Sequence, residues 1–114
     1  MRSIGGINRY NRKGLKTGLW EYYYDNGQLN SKGCYKNGLR DGLWENYDPN
    51  GNLEYKGSYI NGHPDGLFEF YYGNGELHSK GSYLNGEREG EWEYYDENGR
   101  GVRYKKLYKE GGLI

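Results

Sequence analysis

Alanine is missing from this 114-residue chain, and valine occurs once, at Val102. With 21 glycines in place of such residues the sequence is poor material for helices, because glycine in a helix interior costs about 1 kcal/mol relative to alanine. Cys34 is the only cysteine, so no disulfide framework forms within one chain. Net charge is zero, from 16 basic and 16 acidic residues. That balance removes the electrostatic footprint of a nucleic-acid binder and any polybasic membrane segment. No apolar run approaches membrane-spanning length, and residues 1–10 hold no apolar signal core. A cytoplasmic location, no membrane insertion and no direct nucleic-acid contact are therefore expected. Mean hydropathy is -1.22, so 15 tyrosines and three tryptophans must supply much of the buried apolar surface.

What is present is a repeat. Gly33-Cys34-Tyr35-Lys36-Asn37-Gly38, Gly57-Ser58-Tyr59-Ile60-Asn61-Gly62 and Gly81-Ser82-Tyr83-Leu84-Asn85-Gly86 recur every 24 residues without drift. A second block keeps step: Gly18-Leu19-Trp20-Glu21, Gly42-Leu43-Trp44-Glu45, Gly66-Leu67-Phe68-Glu69 and Gly90-Glu91-Trp92-Glu93. Each is followed by Asn-Gly, at Asn26-Gly27, Asn50-Gly51, Asn74-Gly75 and Asn98-Gly99. A short fixed period means stacked units that bury surface against their neighbours. The reading is a single all-β domain over residues 1–114. A degenerate unit covers 1–17, repeats run over about 18–41, 42–65, 66–89 and 90–111, and a charged cap includes Lys105, Lys106 and Lys109.

Asn-Gly between strand-like runs predicts hairpins. With Asn26-Gly27 as a two-residue turn, Tyr24 faces Leu29, Tyr22 faces Ser31, Glu21 faces Lys32 and Trp20 faces Gly33. The same rule pairs Glu45 with Lys56, Glu69 with Lys80 and, after one inserted residue at Arg100-Gly101, Glu93 with Lys105. The ring of each hairpin is expected over its cross-strand glycine, Gly33, Gly57 or Gly81. A four-residue link after Asn37 would set Tyr35 opposite Trp44. Alternation then makes one long twisted antiparallel sheet, an open trough of nine or ten strands whose concave face is aromatic.

On that face Trp20, Trp44, Phe68 and Trp92, with Tyr35, Tyr59 and Tyr83, read as packing residues that recur in every unit. Positions that differ between units are the candidates for partner binding. Tyr22, Asn46, Phe70 and Tyr94 form one row, and Tyr24, Asp48, Tyr72 and Asp96 another. Tyr55 and Tyr104 complete the set. Equivalent residues in successive hairpins stand two strands, or roughly 10 Å, apart. Asp48 and Asp96 would place carboxylates among rings, where they could meet a basic cleft.

The pattern Tyr-x-Asn-Gly-x-x-x-Gly-x-Trp-Glu, then Tyr-Tyr and Asn-Gly, then Lys-Gly-x-Tyr, resembles the variant MORN repeat of bacterial proteins. More narrowly it is similar to the YwqK-type antitoxin family built from that variant. The resemblance runs from about Tyr10 to Gly111. It implies a hairpin array that binds a protein partner, here a toxin domain of nuclease or deaminase type. Two other classes share the features: a cell-wall module gripping glucan or choline between rings, and a self-associating scaffold or homodimer joined through sheet edges or the aromatic face.

Catalysis finds little support. The recurrent glutamates each face a lysine on a flat surface, unlike the carboxylate pair of a glycosidase cleft. His63, His78 and Cys34 fall at no metal or nucleophile spacing. Gly73-Asn74-Gly75 is a turn with no strand–loop–helix context for phosphate. No catalytic residue, metal or cofactor is expected.

Overall fold

The computed structural model describes residues 6–98 and 101–114. Gly99 and Arg100, on which the fourth turn and its inserted residue were placed, and the first five residues of the degenerate unit lie outside the described residues. Ten strands follow one another in chain order in one open antiparallel sheet: β1 Arg9–Tyr10, β2 Lys16–Tyr23, β3 Leu29–Lys36, β4 Leu39–Tyr47, β5 Leu53–Ile60, β6 His63–Tyr71, β7 Leu77–Leu84, β8 Glu87–Tyr95, β9 Val102–Lys109 and β10 Gly112–Leu113. Four hairpins, β2–β3, β4–β5, β6–β7 and β8–β9, form the array. No helix is present among the described residues, in keeping with the glycine-rich, alanine-free composition.

The central register is the expected one. Tyr22 pairs with Ser31, Glu21 with Lys32, Trp20 with Gly33, and the equivalent pairs recur through Glu93 with Lys105. The two ends of the strands differ from expectation. Asn26-Gly27 is not a two-residue turn. The Gly27 N–H donates to the Tyr24 carbonyl and the Tyr24 N–H to that of Gln28, both at 2.9 Å. Only the glycine takes a left-handed φ, of 88°. This is a three-residue loop with a glycine bulge. Tyr23, not Tyr24, therefore faces Leu29. The same shift sets Tyr47 against Leu53, Tyr71 against Leu77 and Tyr95 against Val102, moving these aliphatic residues off the aromatic face to which alternation assigned them.

The two-residue turns lie at the opposite ends. Asn37 and Gly38 both take positive φ, 50° and 81°, as do Asn61-Gly62 and Asn85-Gly86. Strand β4 thus starts at Leu39, and Tyr35 faces Arg40 rather than Trp44. His63, expected in a loop, opens β6 opposite Ile60. An irregularity beside Gly33 absorbs the two residues that the tight turn leaves over, Gly42 and Leu43, and Gly42 takes a φ of 84° there.

Gly33 therefore sits between Trp20 and Trp44, and the ring across it is that of Trp44 from the following strand, not Trp20. A methyl on Gly33 would overlap Trp44, on Gly57 it would overlap Phe68, and on Gly81 it would overlap Trp92. This is the source of the array's core. A one-layer sheet buries Trp44 and Trp92 to 1% exposure because each indole lies flat on backbone that lacks a side chain. Edge-to-face rings close it from the sides: Tyr35–Trp44 at 5.0 Å, Phe68–Tyr83 at 4.9 Å and Tyr83–Trp92 at 5.2 Å. Such pairs contribute about 0.5–1.5 kcal/mol beyond area burial. The indole N–H groups of Trp20, Trp44 and Trp92 donate to the carbonyls of Arg9, Cys34 and Ser82.

The opposite face is open. Leu43 and Leu67 are 56% and 54% exposed there. Its lysines reach to the next hairpin: Lys32–Glu45 and Lys56–Glu69 at 3.6 Å, Lys80–Glu93 at 3.8 Å. Exposed pairs of this kind are worth about 0.2–1 kcal/mol each.

Candidate functional site

The aromatic face carries one variable cluster per hairpin, set in front of its buried ring. Lys16, Arg40, Pro64 and Arg88 occupy equivalent positions in β2, β4, β6 and β8. In the first hairpin Lys16 Nζ lies 4.9 Å from the Trp20 ring and donates to Tyr22 Oη at 2.6 Å, and Tyr22 Oη meets Tyr35 Oη at 3.0 Å. Burial works against ionising Tyr22, but hydrogen bonds from Lys16 and Tyr35 hold its hydroxyl below the usual range. In the second, Arg40 stacks 4.2 Å from the Trp44 ring and donates to Tyr59 Oη at 3.2 Å. In the fourth, Arg88 lies over Trp92 and donates to Tyr108 Oη at 2.9 Å, which in turn meets Tyr94 Oη at 3.1 Å. Burial first, then that contact, pushes Tyr94 up to about 12. Cations over rings at such distances add about 0.5–2 kcal/mol each.

The third hairpin has no cation in this slot. Pro64 stands there, and two phenylalanines pack beside it with the flanking tyrosines: Phe68–Phe70 at 6.1 Å, Tyr55–Phe70 at 5.7 Å, Tyr59–Phe68 at 5.5 Å. The middle of the face is thus hydrophobic and flanked by positive clusters. This feature was missed at the sequence level, although the series at 16, 40, 64 and 88 was there to be read.

A second pattern has a period of two hairpins. Tyr22, Asn46, Phe70 and Tyr94 face Ser31, Tyr55, Ser79 and Tyr104 respectively. Where the facing residue is serine, the row nearer the turn has tyrosine (Tyr24, Tyr72); where it is tyrosine, that row has aspartate (Asp48, Asp96). The tyrosines tie hairpins together, with Tyr24 Oη donating to the Tyr47 carbonyl and Tyr72 Oη to that of Tyr95, both at 2.7 Å. Asn26 and Asn74 add bonds to the Pro49 and Glu97 carbonyls. The aspartates serve their own loops. Asp48 accepts the Asn50 and Asn52 N–H groups at 2.9 Å, and the backbone bond from Asn52 is the largest of the contacts that hold its carboxyl below the usual range. Asp96 pairs with Arg103 at 3.0 Å.

The bulges bring one more residue per hairpin to this face. The extra residues are Asn30, Glu54, His78 and Arg103. Glu54 accepts from Asn46 at 2.7 Å, and the His78 ring lies 4.7 Å from Tyr72. Strict alternation hides such residues, because a bulge places two neighbours on one side. At the C-terminal end they complete an open groove of about 280 Å³ lined by Tyr72, His78, Tyr94, Tyr95, Arg103 and Tyr104. Tyr94 and Tyr104 stack there at 4.9 Å and 12°.

The two margins of the face also differ in charge. The bulged loops and the residues beside them, 24–30, 48–54, 72–78 and 96–103, hold six acidic and two basic residues. The tight-turn margin, 11–16, 36–41, 60–65, 84–89 and 108–111, holds seven basic and five acidic. A chain of zero net charge is thus polarised across its strands. Among the described residues no group of three His, Cys, Asp or Glu is placed to hold a metal ion.

Residues 16–37, 40–61 and 64–85 match the family model of the MORN repeat variant, more than half of the chain. Each match covers one hairpin, from the slot of Lys16, Arg40 or Pro64 to the first residue of the following tight turn. The β8–β9 hairpin repeats the pattern beyond them. No curated protein matches the chain.

Proposed function

This chain belongs to the MORN repeat variant family, and from that premise we propose that it is a non-enzymatic protein-binding module whose aromatic face holds the partner. Within that reading it is an antitoxin or immunity protein of the bacterial cytoplasm, neutralising a toxin domain of nuclease or deaminase type by direct contact. One observation supports the binding reading most: among the described residues a one-layer sheet leaves its aromatic face uncovered, with half-buried rings at Phe70 and Tyr55 and charge around them. Exposed faces of this kind mark interaction sites, and Tyr and Arg side chains at their centre are the usual energetic anchors. The acidic loop margin fits a partner with a basic nucleic-acid cleft and would speed association.

The test is rescue of growth. The chain is co-expressed with the product of the neighbouring gene, and Tyr55→Ser is compared with wild type. Serine is what the array itself places at the equivalent Ser31 and Ser79, so the fold accommodates it. Rescue by wild type that is lost with Tyr55→Ser, at an unchanged melting temperature, supports the reading. Absence of toxicity from the neighbouring product, or full rescue by the variant, refutes it.

A further inference from the structure

Cations are treated in opposite ways on the two faces of the sheet. On the charged face Lys32, Lys56, Lys80 and Lys105 each reach a glutamate. On the aromatic face Lys16, Arg40 and Arg88 reach tyrosine hydroxyls and the rings beneath them. Among the described residues no carboxylate forms an ion pair with any of these three. A hydroxyl leaves the positive charge uncompensated, and a guanidinium has five donors to offer. The bonds from Gly38 N–H to the Lys16 carbonyl, Gly62 to Arg40 and Gly86 to Pro64 hold the four slots at one pitch. Successive slots are two strands apart, a step of about 9.6 Å. Along the row they read cation, cation, proline, cation. Arg40, Pro64 and Arg88 all lie on inner strands, β4, β6 and β8.

We infer that this row binds an acidic segment of a protein partner in the polyproline II conformation, crossing the strands with a carboxylate at each cation and an apolar side chain at Pro64. The pitch selects the conformation. Polyproline II has three residues per turn and a rise of 3.1 Å, so every third side chain points the same way at steps of about 9.3 Å. From Lys16 to Arg88 is six strands, about 29 Å, and three such turns fall short by only about 1 Å. An α-helix needs seven residues per step and overshoots the same span by about 3 Å. A β-strand sends residues three apart to opposite faces. The row also has the rings that such segments use, since they dock in aromatic-lined grooves. Tyr35, Tyr59 and Tyr83 lie on the strands between the slots, facing Arg40, Pro64 and Arg88. The acidic loop margin is a separate contact. Asp48 is eight residues along β4 and its loop from Arg40, about 26 Å away.

The occupant rests on the protein-binding reading, but not on the toxin. The probe is the end-capped peptide Glu-Pro-Pro-Leu-Pro-Pro-Glu, which spans Arg40 to Arg88 and has the same order of side chains in either direction. Its counterpart, Pro-Glu-Pro-Leu-Pro-Glu-Pro, has the same composition with the carboxylates out of phase. Each is titrated to millimolar concentration into the isotope-labelled full chain while the Nε–H signals of Arg40 and Arg88 are followed. The expected result is saturable shifts at both arginines with the in-phase peptide, and binding at least about fivefold weaker with the other. Arg88→Gln should weaken the in-phase peptide about threefold. Arg40→Lys, which copies the first slot, should keep the phase preference. Pro64→Arg, which copies the flanking slots, should shift the preference to Glu-Pro-Pro-Glu-Pro-Pro-Glu. An unchanged melting temperature reports that each variant is folded. No saturable shift, an equal response to both phases, or an unshifted preference in Pro64→Arg overturns the proposal and leaves the cations as packing groups for their own rings. Failure here leaves the growth-rescue result untouched, and failed rescue leaves the peptide result untouched.

Discussion

The same dipeptide, Asn-Gly, closes both ends of the strands and does so in two different ways. At the tight-turn margin both residues are left-handed, as at Asn61 (50°) and Gly62 (83°), and every hairpin is joined to the next by an identical bond, from Gly38 to Lys16, Gly62 to Arg40 and Gly86 to Pro64. At the loop margin only the glycine is left-handed, the loop is one residue longer, and the bonds between hairpins change from one junction to the next. The uniform margin sets the pitch of the array. The varied margin carries its individuality: the Tyr-to-Asp alternation, the acidic charge and the bulged residues Glu54, His78 and Arg103. The array thus keeps its uniform contacts and its variable ones at opposite ends of the same strands.

The sharpest way to break this division is to strike what both margins share. Gly57→Ala drives a methyl into the Phe68 ring and should cost about 1–3 kcal/mol by chemical denaturation. A variant as stable as wild type would show that the ring does not lie on backbone. Next comes the contrast between the margins. Asn61→Ala places a residue poorly suited to positive φ in the tight turn and should cost about 1 kcal/mol. Asn50→Ala, at the same place in the dipeptide but outside the left-handed region, should change stability by less than about 0.5 kcal/mol. Equal losses would erase the distinction.

Tyr72→Phe removes the hydroxyl tie to the Tyr95 carbonyl and should cost about 0.5–1.5 kcal/mol. The smallest effect concerns acid. The Asp48 carboxyl is held low chiefly by the Asn52 backbone N–H. Its contribution is present above the carboxylate range of the unfolded chain and is lost as pH falls through the lower folded value. Wild type should therefore exceed Asp48→Asn in stability at neutral pH, and urea midpoints should converge on acidification. A gap that widens in acid would contradict the assignment.

How much could be read beforehand divides along the same line. The period, the antiparallel meander and the pairing from Tyr22–Ser31 to Trp20–Gly33 were legible, because glycine, aromatic residues and the Glu–Lys pairs recur at fixed distances. Turn type was not. Asn-Gly carries the same preference at both ends, and what separates them is the hydrogen bonding of Tyr24 with Gln28 at one end and the direct closure of Lys36 on Leu39 at the other. From that followed the wrong partner for Tyr35, the misplaced aliphatic residues and the unseen arrival of His78 on the aromatic face. The ring over Gly33 was assigned to Trp20 because pairing within a hairpin is visible in sequence, whereas pairing between hairpins depends on the turn that was misread. Of the candidate binding residues, Tyr55, Phe70, Tyr94 and Tyr104 gather on one face as expected. Asp48 was read for its charge, and its role in its own loop emerges only from the geometry.

The central claim is that the aromatic face is a protein-binding surface. Its most direct test is amide hydrogen exchange on the chain alone and in a purified one-to-one complex with the neighbouring gene's product. The account predicts slowed exchange concentrated on the loop margin and outer groove around Asn46, Tyr55, Phe70 and Tyr94, with the tight-turn margin little changed. A complex that protects only the tight turns, or no complex between the purified proteins, would contradict it.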